Sequence, residues 1–239
     1  MNTHLAFQHH KWPSGGGGPT VPTFTGASGA LFSPDPAANP LVLSHTMADA
    51  ANVLIAMVVI ESGGTTFDAS IDTGGAKIPT FGGTTMTVGK VANSSRRHVG
   101  IYAIHPNATG AFNFSIAPTN GMRGASVRLE EWGGVNTTTI ISAANSQFSN
   151  TDSNAVTLTT THADAVIVGA AGYPDIATAL TCSVGTLIEE GQTGSGATKN
   201  IRAGWARQPV TASGATEGIT FVQAGNVSAM AVIAELNPA

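Results

Sequence analysis

The feature that most constrains this chain is its longest apolar run, which covers residues 53–60 with the sequence Val-Leu-Ile-Ala-Met-Val-Val-Ile. β-Branched residues dominate the run and Gly63 and Gly64 follow it closely, so the pattern favours a strand over a helix. Eight consecutive apolar positions leave no polar face, which is typical of a strand buried on both sides. The run is also too short for a membrane-spanning helix, which takes about 20 residues. We therefore expect the central strand of a sandwich.

Short apolar or alternating segments recur along the rest of the chain, with Gly, Pro, Asn and Asp between them. Such spacing is the signature of strands joined by turns. It predicts strands at residues 41–47, 53–60, 67–72, 78–81, 84–88, 99–104, 111–117, 125–132, 155–159, 165–170, 181–188, 200–206, 218–222 and 227–236. No segment sustains a 3.6-residue apolar period, so we expect no helix longer than a turn or two. The sequence thus predicts an all-β fold, an antiparallel β-sandwich of about a dozen strands.

Residues 1–40 differ in character from the remainder, because they combine spaced prolines with a four-glycine run at residues 15–18. Proline-spaced chain is a poor helix and a poor central strand, so we expect an extended N-terminal arm. Its apolar side chains predict anchors on a partner protein, and the candidates are Trp12, Phe24, Leu31 and Phe32. The alternative is that the arm folds back over its own sandwich. We expect two regions, the arm at 1–40 and a β-sandwich domain at 41–239.

The composition limits the classes of partner. Charged residues make up 10% of the chain and the formal net charge is −4. Low charge is typical of proteins whose surface is covered by partners, including further copies of the same chain. Basic residues are few and scattered, so neither nucleic acid nor a membrane is an expected partner. The single cysteine, Cys182, cannot form an intramolecular disulfide, and no secretory signal is recognisable, which together predict folding in a reducing cytosol.

No motif of catalysis or cofactor binding is complete. The loop 191–196 has the glycines of a phosphate-binding loop, but lacks the Lys and Ser or Thr that should follow. Glu130-Glu131 and Glu189-Glu190 could suggest a glycosidase, yet adjacent strand residues point to opposite faces, so neither pair can flank one bond. A pair with one glutamate from each of the two strands remains the geometric alternative. We interpret both pairs as surface charge or as protection of a sheet edge.

Metal ligation is likewise not expected. His4, His9 and His10 lie together near the N-terminus and read as a polar tail, with a transition-metal site as the alternative. The scattered aspartates match no calcium loop and are expected to be solvated. The chain is therefore expected to be non-enzymatic and to need no cofactor.

Three polar aromatic residues outside the arm suggest one further kind of site. Trp132, Tyr173 and Trp205 could stack on a sugar if they lay together on an open face. That arrangement would define a carbohydrate-binding module. Burial of all three side chains would count against such a module, and we expect these side chains to pack in the core.

Several motifs occur in an order that resembles a known family. They are Phe81-Gly-Gly-Thr-Thr-Met-Thr87, then Ile101-Tyr-Ala-Ile-His-Pro-Asn-Ala-Thr-Gly110, then the segment 125–135 (Ala-Ser-Val-Arg-Leu-Glu-Glu-Trp-Gly-Gly-Val), a Thr-rich stretch at 156–161, and a final Ala/Val strand that stops at Leu-Asn-Pro-Ala239. Together they resemble the jelly-roll-like β-sandwich proteins among the virion structural proteins of tailed bacteriophages. The resemblance covers roughly residues 42–239 and supplies no active-site residues.

The resemblance implies a non-enzymatic structural protein located in the virion. Decoration of the capsid surface is the first expectation, with the major capsid protein or other virion proteins as partners and a homo-oligomer as the assembled form. A tail or fibre component, or a carbohydrate-binding module for receptor recognition, is the alternative.

Overall fold

The computed structural model describes residues 20–33, 39–62, 69–72, 74–94, 97–174, 179–192, 201–224 and 228–239, and the side chains of all these except residues 29–33. The predicted all-β fold is confirmed. The only helical element in the described ranges is a single 3-10 turn, Ala69–Ile71. Strands are β1 (Thr23–Ser33), β2 (Leu41–Met47), β3 (Val53–Ser62), β4 (Thr80–Phe81), β5 (Thr84–Thr85), β6 (Thr87–Ser94), β7 (Arg97–Ile104), β8 (Gly110–Ile116), β9 (Met122–Gly133), β10 (Ile141–Ser149), β11 (Ser153–Thr159), β12 (Val166–Pro174), β13 (Thr181–Val184), β14 (Thr186–Gln192), β15 (Ile201–Pro209), β16 (Thr216–Val222) and β17 (Ala229–Leu236).

The strands form four antiparallel sheets. Two have five strands, in the orders β1-β9-β3-β7-β6 and β10-β17-β12-β15-β14. Two smaller sheets have the orders β2-β8-β4-β5 and β11-β16-β13. The five-stranded sheets pack face to face in the middle, and each carries one of the smaller sheets on its outer side. The molecule is thus a stack of four sheets, consistent with a β-sandwich, while the jelly-roll assignment stays a prediction.

The two halves of the chain have the same topology. If β1, β9, β3, β7 and β6 are replaced in order by β10, β17, β12, β15 and β14, one five-stranded sheet becomes the other. In the two small sheets, β2, β8 and β4 correspond in the same way to β11, β16 and β13. We call β1–β9 the N-terminal unit and β10–β17 the C-terminal unit. The 41–239 segment, which we expected to be one continuous sandwich, therefore contains most of the first unit and all of the second.

Local irregularities repeat as well. The pairing of β1 with β9 slips between Phe24 and Gly26, and that of β10 with β17 slips between Ile141 and Ala143. A second slip lies between Val88 and Lys90 in β6 and recurs between Leu187 and Glu189 in β14. β-Bulges depend on specific backbone positions, so two shared bulges show that the units correspond in register as well as in strand order. A further slip in β1, between Ser28 and Leu31, has no counterpart in β10.

Three hydrophobic cores fill the spaces between the four sheets. One core lies inside each unit, and the third lies between the two five-stranded sheets. The prediction that residues 53–60 form a central strand is confirmed, because every residue of β3 is buried. Leu54 faces the core of its own unit and Ile55 faces the core between units. Its continuous apolar sequence follows from having a core on each side.

The region expected to be an arm is partly strand. Residues 23–33 form β1, which pairs with β9 at the edge of the first five-stranded sheet. The expected boundary at residue 40 therefore lies beyond a strand that already belongs to the folded unit, and the fold-back alternative describes residues 23–33. Pro19 and Pro22 precede this strand and Pro34 follows it, so proline bounds the strand without interrupting it.

Strand prediction failed in two ways: residues 69–71, inside the strand predicted at 67–72, form the 3-10 turn, and a strand of low apolar content was missed. β10 has the sequence Ile-Ser-Ala-Ala-Asn-Ser-Gln-Phe-Ser and was not predicted. It is an edge strand, so it needs little apolar surface on its outer side. The predicted strand at 181–188 is divided into β13 and β14 by Gly185, whose φ of +86° turns the chain from the outer sheet into the central one.

Candidate functional site

A group of charged and aromatic side chains fills one margin of the interface between the units. At its centre is Glu130 of β9, which is fully buried and faces the opposing sheet. Its carboxylate accepts hydrogen bonds from Arg128 Nε at 2.6 Å, from Arg207 Nη2 at 2.7 Å and Nε at 3.1 Å, and from Trp132 Nε1 at 3.3 Å. Arg207 belongs to β15 of the other unit, so this bidentate pair joins the two halves of the chain.

A second charged contact crosses the same margin. Arg128 Nη1 donates to Glu189 Oε2 at 2.6 Å, and Glu189 lies on β14 of the C-terminal unit. The Arg128 side chain is 9% exposed and that of Glu189 is 38% exposed, so the network runs from the interior to solvent. Arg207, Glu130, Arg128 and Glu189 thus alternate in charge, and each buried charge has an opposite partner. We call these four residues the interface charge network.

Aromatic rings cover the Arg207 end of this network. The guanidinium of Arg207 lies 3.8 Å from the centroid of the Phe24 ring and 5.0 Å from that of Trp132. The two rings meet edge to face, with centroids 5.7 Å apart. A cation over an aromatic face is attracted by the ring quadrupole, and the attraction grows when water is excluded. Phe24 on β1 therefore closes the network against solvent while remaining 39% exposed itself.

The neighbouring carboxylate, Glu131, points to the opposite face and holds a turn. It accepts hydrogen bonds from the backbone N–H groups of Ala48 and Asp49, from Asn52 Nδ2 at 2.6 Å, and from His45 Nε2 at 3.4 Å. Burial alone would raise the pKa of the Glu131 carboxyl, but the hydrogen bonds from Asn52, Ala48, Asp49 and His45 bring it below its ordinary value. This site fixes the chain between β2 and β3.

The sequence correctly predicted that Glu130 and Glu131 point to opposite faces, but their interpretation as surface charge is wrong. They are 0% and 1% exposed, because β9 lies inside a sheet with another layer on either side. Glu130 and Glu189 both bind Arg128, and Glu130 also binds Arg207. Carboxylates held in ion pairs with arginines are unsuited to proton transfer, so this pair does not have the form of a glycosidase site.

The three aromatic candidates for sugar stacking are all buried. Trp132 is 2% exposed, and Tyr173 and Trp205 are 0% exposed. Trp132 and Trp205 belong to the core between the units, whereas Tyr173 belongs to the core of the C-terminal unit. The structure neither exposes them nor gathers them on one face, which is the result that counts against a carbohydrate platform on these residues.

The predicted partner anchors are divided. Trp12 lies outside the described residues. Leu31 and Phe32 belong to β1, opposite Val127 and Ser126, and their side chains are outside the description. Phe24 packs against Trp132 and Arg207 within its own chain, with part of its ring still accessible. A role of these four residues in partner binding stays a prediction.

Other candidates are structural or fall outside the described ranges. His98 is buried in β7, where its Nε2 lies 2.7 Å from the Tyr102 hydroxyl. His4, His9, His10 and most of the loop 191–196 lie outside the described residues. Burial raises the pKa of the Cys182 thiol to about 11, so at neutral pH the thiol is protonated and a weak nucleophile.

Two clefts lie in the described part of the chain, and the larger, about 490 Å³ and open to solvent, has Glu217 as its one titratable lining residue. No group of three or more His, Cys, Asp or Glu side chains among the described residues is placed to hold a metal ion. A cavity of about 240 Å³ lies beside β6, β7 and β10, and Thr87, Thr138 and Ile141 are among its lining residues. No titratable side chain lines it, so it lacks groups for acid–base chemistry. Within the same residues, no helix is long and apolar enough to cross a bilayer.

Comparison with known proteins gives no relative: no family model, no curated protein and no solved structure matches this chain.

Proposed function

We propose that this protein is a non-enzymatic structural component of a tailed-bacteriophage virion that works through protein–protein contacts. The observation that carries the proposal is the use of its buried charges. Glu130 binds two arginines, Glu131 holds the turn before β3, and Glu235 holds the turn before β12. Enzymes keep a titratable group poised beside a cavity, whereas these groups are saturated by partners inside the fold.

Three further observations support the virion assignment. The order of motifs between Phe81 and the C-terminus resembles virion structural proteins of tailed phages. Only 10% of the chain is charged, which suits a surface covered in an assembly. The outer faces of the two small sheets, built by strands such as β2 and β11, carry mostly Ser, Thr, Ala and Val.

Within this class, decoration of the capsid is the form we propose, with the major capsid protein as partner and several copies per particle. A tail or fibre position would use the same chemistry of contact. No glycan site is proposed on Trp132, Tyr173 and Trp205, because their burial leaves no face for a sugar ring.

The test is incorporation into particles. The full chain, carrying a C-terminal tag, is expressed during phage assembly, and purified particles are probed for the tag and imaged. We expect the tag on particles, at capsid positions. Absence from purified particles would overturn the virion assignment, and density restricted to the tail would overturn decoration.

The fold determines which truncation tests the docking role of the N-terminus. Removal of residues 1–40 would delete β1 and uncover Trp132 and Arg207, so loss of incorporation would then have two explanations. Removal of residues 1–19 keeps β1 intact. We expect this shorter truncation to melt like the full chain and to be lost from particles. Full incorporation of the truncated chain would place the docking surface on the sheets.

A further inference from the structure

The interface between the units has the form of a homodimer interface. Equivalent faces of the two central sheets pack on each other, so β3 meets β12, β7 meets β17 and β9 meets β15. At the margins, β6 meets β10, and its counterpart β14 meets β1, while β6 meets β17 more extensively than β14 meets β9. Apart from this last contact, the strand contacts occur in pairs that are related by exchange of the two units, which defines an approximately two-fold, self-complementary interface. A covalent link between the units does not by itself prevent like units of different chains from pairing.

Residue equivalence across this two-fold follows from the strand registers. Leu54 pairs with Glu131 and Ile104, and Ile167 pairs with Glu235 and Gln208. Glu131 therefore corresponds to Glu235, and the interface residues follow by counting along each strand. The equivalent pairs are Arg128 with Val232, Glu130 with Ala234, Trp132 with Leu236, Ala103 with Arg207, and Lys90 with Glu189.

The interface charge network breaks this symmetry. One margin holds Arg207, Glu130, Arg128 and Glu189, and the symmetric margin has small or apolar residues at three of the four equivalent positions. We propose that the network is a specificity device, which makes the N-terminal unit pair with a C-terminal unit and excludes pairing of like units. Electrostatic complementarity of this kind selects partners mainly by penalising the wrong ones.

Pairing of two like units would break contacts of the interface charge network. In a pair of two N-terminal units, Glu130 would face Ala103 in place of Arg207, and Arg128 would face Lys90 in place of Glu189. The first change leaves a buried carboxylate with one arginine fewer, and the second sets two positive charges together. In a pair of two C-terminal units, Arg207 would face Ala234 and Glu189 would face Val232, so both charges would lose their partners.

This inference extends the function proposed above without resting on it. In any setting where copies of the chain are concentrated, units that paired indiscriminately would exchange between chains and cross-link them. The network confines pairing to unlike units, and the short connection at residues 134–140 then favours the two units of one chain. The charged face of the N-terminal unit is therefore suited to a C-terminal unit and not to a second N-terminal unit.

The test uses the full chain with a protease site inserted between Thr137 and Thr138, both exposed in the connection between units. The folded protein is cleaved, and its fragments are examined by native mass spectrometry and gel filtration. We expect one species with one N-terminal and one C-terminal fragment. Species with two like fragments, or fragments that separate at once on dilution, would overturn the proposal.

The pseudo-symmetry supplies a matched pair of variants. Glu189→Lys puts on β14 the residue found at the equivalent position of β6, and should weaken association of the cleaved fragments about tenfold or more by repelling Arg128. Lys90→Glu makes the reciprocal change outside the network and should leave association within about twofold of the parent. Glu189→Gln, which removes attraction without adding repulsion, should fall between them. Equal association for Glu189→Lys and the parent, or equal weakening by both reciprocal variants, would overturn the proposal.

Discussion

Glu131 and Glu235 occupy the same register position in the two units, and each holds the turn that leads into the central strand of its unit. Glu131 accepts from the backbone N–H groups of Ala48 and Asp49, and Glu235 accepts from those of Thr161 and His162. A buried carboxylate that satisfies consecutive backbone donors fixes a chain reversal which would otherwise bury unpaired groups. The same arrangement, a buried carboxylate that accepts hydrogen bonds from consecutive backbone N–H groups, therefore occurs twice, in the turns before β3 and before β12.

Stability should depend on pH through Glu131. Its pKa is lowered in the folded state, so its contribution is present above the ordinary pKa of a glutamate, about 4.3, and is lost as pH falls through the folded value. We expect Glu131→Gln to lower the free energy of unfolding by about 1–3 kcal/mol at neutral pH, because an amide cannot accept all the bonds made by the carboxylate. Denaturant melts of parent and variant between neutral and acid pH measure this difference. A difference that does not shrink towards low pH would contradict the assignment.

Both tyrosines of the chain should resist ionisation in alkali. Burial and the charge of Asp72 raise the pKa of Tyr102, and burial together with Cys182 raises that of Tyr173. The folded state then disfavours tyrosinate, and stability falls as pH rises above the unfolded value of about 10. In a spectrophotometric titration we expect tyrosinate absorbance to appear together with loss of circular dichroism. Absorbance that rises first, while the fold is intact, would show that a tyrosine is accessible.

The close approach of the central sheets should not tolerate an extra methyl group at Gly172. A Cβ there would lie 2.7 Å from Val59 Cγ1 and 2.8 Å from Val99 Cγ2, both in the opposing sheet. We expect Gly172→Ala to lower the free energy of unfolding by about 1–3 kcal/mol through overpacking. Gly26→Ala is the matched control, since its Cβ would meet no atom within 4 Å. Thermal melts of the two variants compare them directly, and equal effects would argue against the packing seen at this interface.

The two faces of β3 should contribute comparably, because each faces a different core. Leu54→Ala opens a cavity inside the N-terminal unit, and Ile55→Ala opens one between the units. Each should cost about 2–5 kcal/mol in denaturant unfolding. A cost below about 1 kcal/mol for Ile55→Ala alone would mean that the units separate readily and expose this face.

The lone thiol should react slowly in the folded protein. The pKa of Cys182 is raised to about 11 from an ordinary value of 9.0, so the thiolate fraction near neutral pH falls about a hundredfold. Alkylation rates of native and denaturant-unfolded protein measure the difference. Equal rates in the two states would show that burial does not control the reactivity of this cysteine.

Sequence reasoning located the interior strands well and the charge network poorly. Residues 111–117 and the apolar run at 53–60 were identified because alternation and β-branched runs are local signals. The opposite orientation of Glu130 and Glu131 was also accessible, since it follows from the two-residue period of a strand. Their burial was not, because Arg207, which pairs with Glu130, lies 77 residues away in the sequence. The strands β1 and β10 were missed because their sequences carry few apolar residues in regular alternation.

What the sequence determined by itself is the all-β class, the centrality of residues 53–60 and the low charge of the surface. These depend on composition and on short-range periodicity. The duplication of the unit was decided only by the tertiary structure, because equivalent positions such as Arg128 and Val232 share a backbone location but no chemistry. Ladder pairing and β-bulges are features of the backbone, so the repeat is visible in them even where equivalent side chains differ. Packing of the C-terminal unit on the N-terminal unit then determines which buried charges form ion pairs.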